Sequence, residues 1–145
     1  MWEANFYGAV FGIIKNGNWE ILFQKRQNSG FMDGKFQLPS GHIENTETMK
    51  GAFIREMEEE LGIILQEEDL ELLHISHRVR SERMYFDIYF EVKNYKWEIQ
   101  NREPHKCSEL QYRDIEHGDT KEIVEFNLEV LEKIKNKIAF WEQKQ

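Results

Sequence analysis

Apolar residues in the first part of the chain form short runs that are typical of β-strands. Two runs span residues 6–14 and 19–24, and the segment between them contains the pair Asn16-Gly17. Because Asn and Gly both tolerate the positive φ angles of tight turns, such a pair between apolar runs predicts a β-hairpin. A third run at residues 36–38 predicts another short strand.

The pattern becomes helical between residues 46 and 61, where apolar residues recur at spacings of three and four positions. Thr46 is the predicted N-cap, because its hydroxyl can accept a hydrogen bond from a free backbone N–H of the first turn. Gly62 is the predicted end, since glycine readily adopts the left-handed conformation that terminates many helices. The apolar positions are Met49, Ala52, Phe53, Met57 and Leu61.

The second half of the chain predicts three more strands and a final helix. The strands are expected at residues 70–79, 84–93 and 110–113, and the second is aromatic and β-branched almost throughout. Helical spacing then returns, with Asn127 as the predicted N-cap. This order of elements predicts an α+β fold, an α-β-α sandwich with a mixed β-sheet between helices. The apolar positions of the last helix are Leu128, Leu131, Ile134, Ile138 and Trp141.

Composition limits the domain count and the class of partner. The chain has 145 residues, 40% of them hydrophobic, so residues 1–145 are predicted to form a single domain with a real core. The 27 acidic residues outnumber the 19 basic ones and give a net charge of −8. Phosphate backbones and anionic membranes repel such a chain, so neither a long nucleic acid nor a membrane is expected as a partner.

Cysteine content and flanking charges indicate the compartment. Cys107 is the only cysteine, which excludes an intrachain disulfide and a secreted disulfide scaffold. The apolar run at residues 6–14 follows Glu3 and no basic residue, unlike a signal peptide. We therefore expect a cytoplasmic protein, and the sequence leaves open whether it is a monomer or a homodimer.

Three glutamates on the predicted helix form the first candidate site. Glu56, Glu59 and Glu60 fall within an arc of about 100° on the side where the apolar stripe began. Carboxylates this close repel one another, and a divalent cation with its preference for oxygen ligands removes that conflict. The alternative is a solvated acidic face, which is common in a chain with 22 glutamates.

The spacing around these glutamates resembles the Nudix box. That signature is Gly, five residues, Glu, seven residues, Arg-Glu, an aliphatic, any residue, Glu-Glu, any residue, Gly and an aliphatic. Every fixed position is matched here, and the matching residues are Gly41, Glu47, Arg55, Glu56, Met57, Glu59, Glu60, Gly62 and Ile63.

The resemblance extends over most of the chain from Phe6 to Ile138. Residues 26–41 look like the usual lead-in to a Nudix helix, except that Ser40 stands where many members have a second glycine. Residues 103–112 resemble the downstream segment of MutT-type members.

The resemblance implies a metal-dependent hydrolase of a nucleoside diphosphate linked to another group. Glu56, Glu59, Glu60 and the backbone carbonyl of Gly41 would bind Mg²⁺, or Mn²⁺, which accepts the same ligands. Arg55 and Glu47 would hold the ligand carboxylates in place. Glu59, Glu60 or a loop acid would act as general base, and the expected loop acid is Glu109, with Glu103 second.

The substrate-binding residues are less clear from the sequence. Arg26, Arg78 and Arg83 are candidate phosphate clamps, although an arginine at a sheet edge is often only a solvated ion-pair partner. Phe6 is a candidate for stacking on a base, as are Tyr85 and Phe86. Aromatic residues at alternating strand positions are also common in cores.

The leading hypothesis is hydrolysis of a nucleoside triphosphate to the monophosphate and pyrophosphate, including the removal of oxidised nucleotides. An ADP-ribose or nucleotide-sugar pyrophosphatase is the alternative within enzymes. A Nudix module that only binds a nucleotide or a protein is the alternative from another class. Members that lose activity lose box glutamates, and all of them are present here.

Overall fold

The computed structural model describes residues 3–145, which contain eight strands, two α-helices and a short 3-10 turn at Glu67–Asp69. The helices are α1 (Met49–Leu61) and α2 (Glu125–Lys135). The strands are β1 (Phe6–Ile13), β2 (Ile21–Arg26), β3 (Phe36–Gln37), β4 (Ser40–His42), β5 (Leu70–Arg80), β6 (Arg83–Val92), β7 (Cys107–Arg113) and β8 (Phe140–Lys144).

The strands form two sheets. A mixed five-stranded sheet has the order β4-β1-β6-β5-β8, with β1 parallel to β6 and β5 parallel to β8. A smaller antiparallel sheet has the order β3-β2-β7. Helix α1 packs on one face of the larger sheet, and α2 packs with the smaller sheet on the other face. The predicted sandwich with a mixed sheet between helices is therefore confirmed.

Strand β1 is buried on both faces from Ala9 to Ile13. Its odd-numbered residues, such as Phe11, pack against Phe126 of α2. Its even-numbered residues, such as Val10, face α1 and pack with Phe53 and Met57. Burial on both faces explains why this segment is a continuous apolar run rather than an alternating one.

The predicted hairpin forms only next to its turn. Backbone hydrogen bonds join Asn16 to Glu20 and Leu22 to Ile14, so the chain does reverse at the Asn-Gly turn. Beyond the Lys15–Ile21 bridge the strands separate, and β1 enters the larger sheet while β2 enters the smaller one. A turn signal predicts the reversal but does not determine which strands each arm pairs with.

Helix α1 starts two residues later than predicted. Thr48, with φ −80° and ψ 164°, is the N-cap, and its Oγ1 accepts a hydrogen bond from Gly51 N at 3.0 Å. Thr46 instead has a φ of 74°, a left-handed conformation that is unlike the extended backbone of an N-cap. Gly62 ends the helix in the left-handed conformation, as predicted.

The last predicted helix is too long. Helix α2 ends at Lys135, Lys137 adopts a φ of 58°, and the chain then forms β8 parallel to β5. The prediction that Asn127 caps this helix is also wrong, because Asn127 lies within α2 and is fully buried. Ile138 and Trp141 matched a helical spacing by coincidence.

Neither helix of the described residues 3–145 is long and apolar enough to cross a bilayer.

Candidate active site

The guanidinium of Arg55 organises the acidic end of α1. Its Nε and Nη2 donate to both oxygens of Glu47 at 2.7 and 2.9 Å, and Nη1 donates to Glu56 at 2.9 Å and to Glu59 at 3.3 Å. Nη2 also donates to the carbonyl of His42 at 3.1 Å, which ties the helix to β4. Hydrogen bonds from Arg55 lower the pKa of Glu47 to about 2. One cation therefore sets the positions of three carboxylates.

Gly41 and Glu56 are in direct contact. A Cβ atom added at position 41 would overlap the Glu56 carboxylate, so glycine lets this carboxylate lie directly against the backbone of β4. Burial raises the pKa of Glu56, although Arg55 opposes that effect. The backbone of Gly41 and the carboxylate of Glu56 thus meet at one point, as the resemblance implied.

Glu60 has the most deeply buried carboxylate of the three predicted ligand glutamates on α1. Its Oε2 is buried and has no hydrogen-bond partner among the described residues. Burial raises the pKa of Glu60 to about 8, and the negative charges of Glu56 and Glu103 add to the effect. Hydrogen bonds from Gln24 and the backbone of Ser40 oppose it. A buried carboxylate with one unpaired oxygen is costly, and a hard divalent cation is the ligand that best offsets that cost. The residues present therefore fit a divalent metal ion.

These carboxylates are not yet grouped around a single point. Within residues 3–145 no three acidic, His or Cys side chains are arranged closely enough to hold a metal ion. The Glu59 carboxylate lies against Arg55 and is about half exposed. To join Glu56 and Glu60 around one ion, this exposed side chain would have to turn away from Arg55.

The two loop acids differ in position. Glu103 is close enough to Glu56 and Glu60 to raise the pKa of both. Glu109 accepts a hydrogen bond from Gln111 at 2.9 Å and lies 3.9 Å from the Lys25 ammonium group. The structure therefore places Glu103, the second choice of the sequence analysis, close to Glu56 and Glu60.

The structure separates the three arginines that were predicted to bind phosphate. Arg26 lies near Glu60 and donates to Gln37 Oε1 at 2.6 Å and to the carbonyl of Phe31 at 2.7 Å. Arg83 is exposed, with its guanidinium carbon 5.7 Å from the centre of the Tyr7 ring.

Arg78, in contrast, is buried and forms an ion pair with Asp87, with Nε 2.5 Å from Oδ2. Its guanidinium also lies over the rings of Tyr85 and Phe126, 4.2 and 4.3 Å from their centres. Because Asp87 and these two rings already contact its guanidinium, we do not propose Arg78 as a phosphate-binding residue.

Phe6 lies on the other side of the sheet from Arg83. It stacks on Phe86, with the ring centres 4.9 Å apart, on the face that packs against α1. Tyr7 is the residue that shares a face with Arg83, and sequence reasoning missed it. Strand alternation separates Phe6 from Tyr7, but only the pairing of β1 with β6 shows which of the two is beside Arg83.

Comparison with known families settles the relationship. The sequence matches the model of the NUDIX domain over residues 6–134. The chain belongs to the Nudix family. Of the residues that match the Nudix box, Glu47, Glu56 and Glu59 contact Arg55, and Glu60 lies beside Glu56.

Two curated relatives resemble part of this Nudix chain. It is 44% identical over 55 residues to the 8-oxo-dGTP diphosphatase of Escherichia coli (strain K12), which is 38% of this chain and 43% of that protein. It is 48% identical over 56 residues to the ADP-ribose pyrophosphatase of Methanocaldococcus jannaschii, which is 39% of this chain and 32% of that protein. Both alignments span less than half of the relative.

Solved structures support the fold over a longer span. A MutT Nudix hydrolase from Burkholderia pseudomallei has a TM-score of 0.78 at 22% identity, covering 88% of this chain and 97% of that one. The MutT protein from Methanosarcina mazei Go1 has a TM-score of 0.78 at 20% identity, covering 94% and 98%. At these identities the likeness shows the fold alone.

Proposed function

We propose that this Nudix chain is a metal-dependent pyrophosphohydrolase that cleaves a nucleoside or deoxynucleoside triphosphate to the monophosphate and pyrophosphate. The observation that carries the proposal is the buried Glu60 Oε2, which has no partner among the described residues and lies beside Glu56. A carboxylate kept in that state gains most from a cation, and a cation is what an acidic protein needs to receive a polyphosphate.

Glu56, Glu59, Glu60 and the carbonyl of Gly41 would hold Mg²⁺ or Mn²⁺. A bound ion supplies charge neutralisation of the diphosphate oxygens and lowers the pKa of an attacking water. Nudix hydrolases generally use a divalent ion, which agrees with this donor set.

The chain's own side chains position the reaction. Arg55 orients Glu56 and Glu59, and Glu47 in turn orients Arg55 through two hydrogen bonds. Arg26, close to Glu60, is the residue placed to contact a substrate phosphate.

Glu59, Glu60 or an acid from outside α1 accepts the proton of the attacking water. The two acids outside α1 are Glu103, in the segment between β6 and β7, and Glu109, in β7, and Glu109 is the more exposed. A candidate base must come within hydrogen-bond reach of the water in the complex, which a small shift of a loop can provide. Replacement of each by glutamine, with kcat compared at saturating substrate, decides between them.

The curated relatives support two choices of substrate. Likeness to the E. coli enzyme supports a triphosphate and, within that class, an oxidised purine such as 8-oxo-dGTP. Likeness to the M. jannaschii enzyme supports ADP-ribose as the second candidate. Both substrates contain the same diphosphate bond, so the proposed mechanism is common to them.

A small panel of substrates tests the proposal. The wild type is incubated with Mg²⁺ and dGTP, 8-oxo-dGTP, the other triphosphates, ADP-ribose or a UDP-sugar, and the products are identified. Glu59→Gln is compared with Glu58→Gln, an exposed glutamate on the same helix.

Pyrophosphate from a triphosphate, lost in Glu59→Gln and retained in Glu58→Gln, is the expected result. Turnover of ADP-ribose alone would keep the mechanism and replace the substrate class. Nucleotide binding without turnover of any substrate would overturn the proposal in favour of a binding module.

A further inference from the structure

Several arginines of this acidic chain have no acidic partner. Among residues 3–145, the arginine ion pairs are those of Arg55, Arg78 and Arg113. The other four arginines, Arg26, Arg80, Arg83 and Arg102, have no carboxylate within ion-pair distance in that described part of the chain. In a protein with a net charge of −8, cations left without partners are unexpected.

Three of these four arginines lie close together around Phe31 and Tyr7, and we call them, with these two rings, the arginine cluster. Arg80 and Arg83 face each other across β5 and β6, and the register places them on the same face as Tyr85. Arg26 and Arg80 both approach Phe31, with guanidinium carbons 5.3 and 4.2 Å from the centre of its ring. The loop that carries Phe31 therefore bridges the metal-binding end and the β5–β6 turn.

Aromatic side chains line the space between the arginines. Tyr7 is 44% exposed, and its ring lies 5.5 Å from that of Tyr85 and 5.7 Å from the guanidinium of Arg83. A hydrogen bond with Tyr85 raises the pKa of Arg83. Phenol rings beside a free cation suit a ligand that has both a flat ring and a negative charge.

The acidic groups near the arginine cluster do not pair with Arg80 or Arg83. Asp87 is buried under Arg78, and Asp33 accepts hydrogen bonds from Ser29 and Gly30 within its own loop, on the side of Arg26. Glu82, in the turn between Arg80 and Arg83, is exposed and forms no ion pair with either of them in the described part of the chain. Two arginines therefore face one carboxylate at this end of the cluster, although the molecule as a whole is strongly negative.

Only part of this positive charge is explained by hydrolysis of a diphosphate bond. Arg26, near Glu60, accounts for one phosphate contact at the metal-binding end. With the diphosphate at Glu60 and Arg26, as in the proposed function, Arg80 and Arg83 lie on the other side of Phe31, toward the nucleoside of the substrate.

We propose that Arg80 and Arg83 bind a second phosphate group, carried on the ribose of the nucleotide whose 5′-diphosphate is cleaved. This inference rests on the proposed function for the orientation of the substrate. It assigns the enzyme to substrates of the ribose-phosphate class, in which a 2′- or 3′-phosphate is present in addition to the 5′ chain. Each arginine offers several N–H donors to phosphate oxygens.

Calorimetric binding of product-like ligands tests the inference without turnover. Adenosine and guanosine 5′-monophosphates are compared with the corresponding 2′,5′- and 3′,5′-bisphosphates in the presence of Mg²⁺. The variants are Arg80→Met and Arg83→Met, both at exposed positions. Lys144→Met is the matched control. Lys144 is exposed and paired with Val79, so this substitution removes the same charge from the opposite face of the sheet.

In the wild type, at least one bisphosphate is expected to bind about tenfold more tightly than its monophosphate. This preference should fall to about twofold or less in Arg83→Met and remain in Lys144→Met. Arg83→Lys should retain part of it, and thermal melting of each variant verifies folding. Equal affinity for mono- and bisphosphates in the wild type, or equal losses in Arg83→Met and Lys144→Met, would overturn the inference.

Hydrolysis separates this inference from the proposed function. The same variants are assayed on guanosine 5′-triphosphate and on its 3′-phosphorylated form. A higher kcat/KM for the 3′-phosphorylated substrate that is lost in Arg83→Met supports both statements. Turnover with no such preference overturns only the second phosphate site, and a bisphosphate preference without turnover of any substrate overturns only the proposed function.

Discussion

At the scale of single residues, the site depends on one buried carboxylate and one shared cation. Glu60 has an inaccessible oxygen without a partner in the described chain, and Arg55 holds Glu47, Glu56 and Glu59. Without a metal ion the first feature costs stability, while the second offsets repulsion between the carboxylates. Until a cation binds, the cost of burying Glu60 therefore opposes the stabilisation that Arg55 provides.

Replacement of Glu60 tests the cost of that burial. In metal-free solution Glu60→Gln should raise the free energy of unfolding by about 1–3 kcal/mol, because a neutral amide is easier to bury than a carboxylate with an unpaired oxygen beside other carboxylates. Mg²⁺ should stabilise the wild type and leave Glu60→Gln nearly unchanged. Chemical denaturation with and without Mg²⁺ measures both effects. A variant less stable than the wild type without metal would contradict this account of Glu60.

The pairing of Glu47 with Arg55 predicts a loss of rate with little loss of binding. Glu47→Gln should lower kcat by about 10- to 100-fold, because Arg55 would no longer be fixed against Glu56 and Glu59. Glu44→Gln is the control, since Glu44 is exposed and lies 3.8 Å from Arg55. Steady-state kinetics of both variants distinguish the two roles. Equal effects would show that Arg55 needs only nearby negative charge.

Many of the charged site residues could be predicted from sequence, because their spacing along one helix is enough to place them together. Gly41 and Glu47 belong to the same spacing pattern. Tyr7 and Arg80 could not be predicted, because their position beside Arg83 depends on how β1 and β5 align with β6. Such contacts between distant segments leave no periodic signal in the sequence.

At the scale of elements, helix starts and strand pairings were predicted less well than the elements themselves. Both helices and most strands are where the apolar pattern indicated. Strand β4 was missed because its three residues carry no apolar pattern, and β8 was missed because its aromatic residues continued a helical spacing. The positive φ of Lys137 ends the helical conformation, and the pattern of apolar side chains does not reveal this change of the backbone.

The N-cap of α1 offers a direct comparison of prediction and structure. Thr48→Ala should lower the free energy of unfolding by about 1 kcal/mol, because Gly51 N loses its hydrogen-bond partner. Thr46→Ala should cost much less, since Thr46 lies outside the helix. Urea denaturation of the two variants measures the difference. A larger loss of stability in Thr46→Ala than in Thr48→Ala would indicate that Thr46 is the N-cap, as predicted from the sequence.

The junction of β5 with the segment before β8 predicts a pH dependence of stability. His74 is buried, with Nδ1 2.7 Å from the carbonyl of Ile138 and Nε2 3.0 Å from Ser76 Oγ. Burial lowers the pKa of His74 from its ordinary value of 6.5. The unfolded chain therefore binds more protons below pH 6.5, and stability should fall as the pH is lowered through that value.

Urea denaturation at pH 7.5 and pH 5.5 measures this effect. The decrease between the two pH values should be smaller in His74→Gln than in the wild type, because glutamine has no proton to bind. His117→Gln is the control, since His117 is exposed. An unchanged pH dependence in His74→Gln would exclude His74 as its source.

At the scale of the whole molecule, the fold places a group of carboxylates beside a group of arginines. Glu56 of α1 lies against Gly41, with Glu60 and Glu103 close to it. Arg26 and Arg80 flank Phe31, and Arg83 lies opposite Arg80. A net charge of −8 would otherwise repel a polyphosphate. In the proposed function, this separation of charge would orient an anionic substrate with its cleaved bond at the glutamates.

The most direct test of the central claim is the rate of pyrophosphate release from nucleoside triphosphates as Mg²⁺ is titrated into the wild type, Glu60→Gln and Glu58→Gln. The account predicts a rate that requires Mg²⁺, falls by at least about 100-fold in Glu60→Gln and is unchanged in Glu58→Gln. Equal rates in Glu60→Gln and Glu58→Gln, or full activity with Mg²⁺ removed by a chelator, would contradict it.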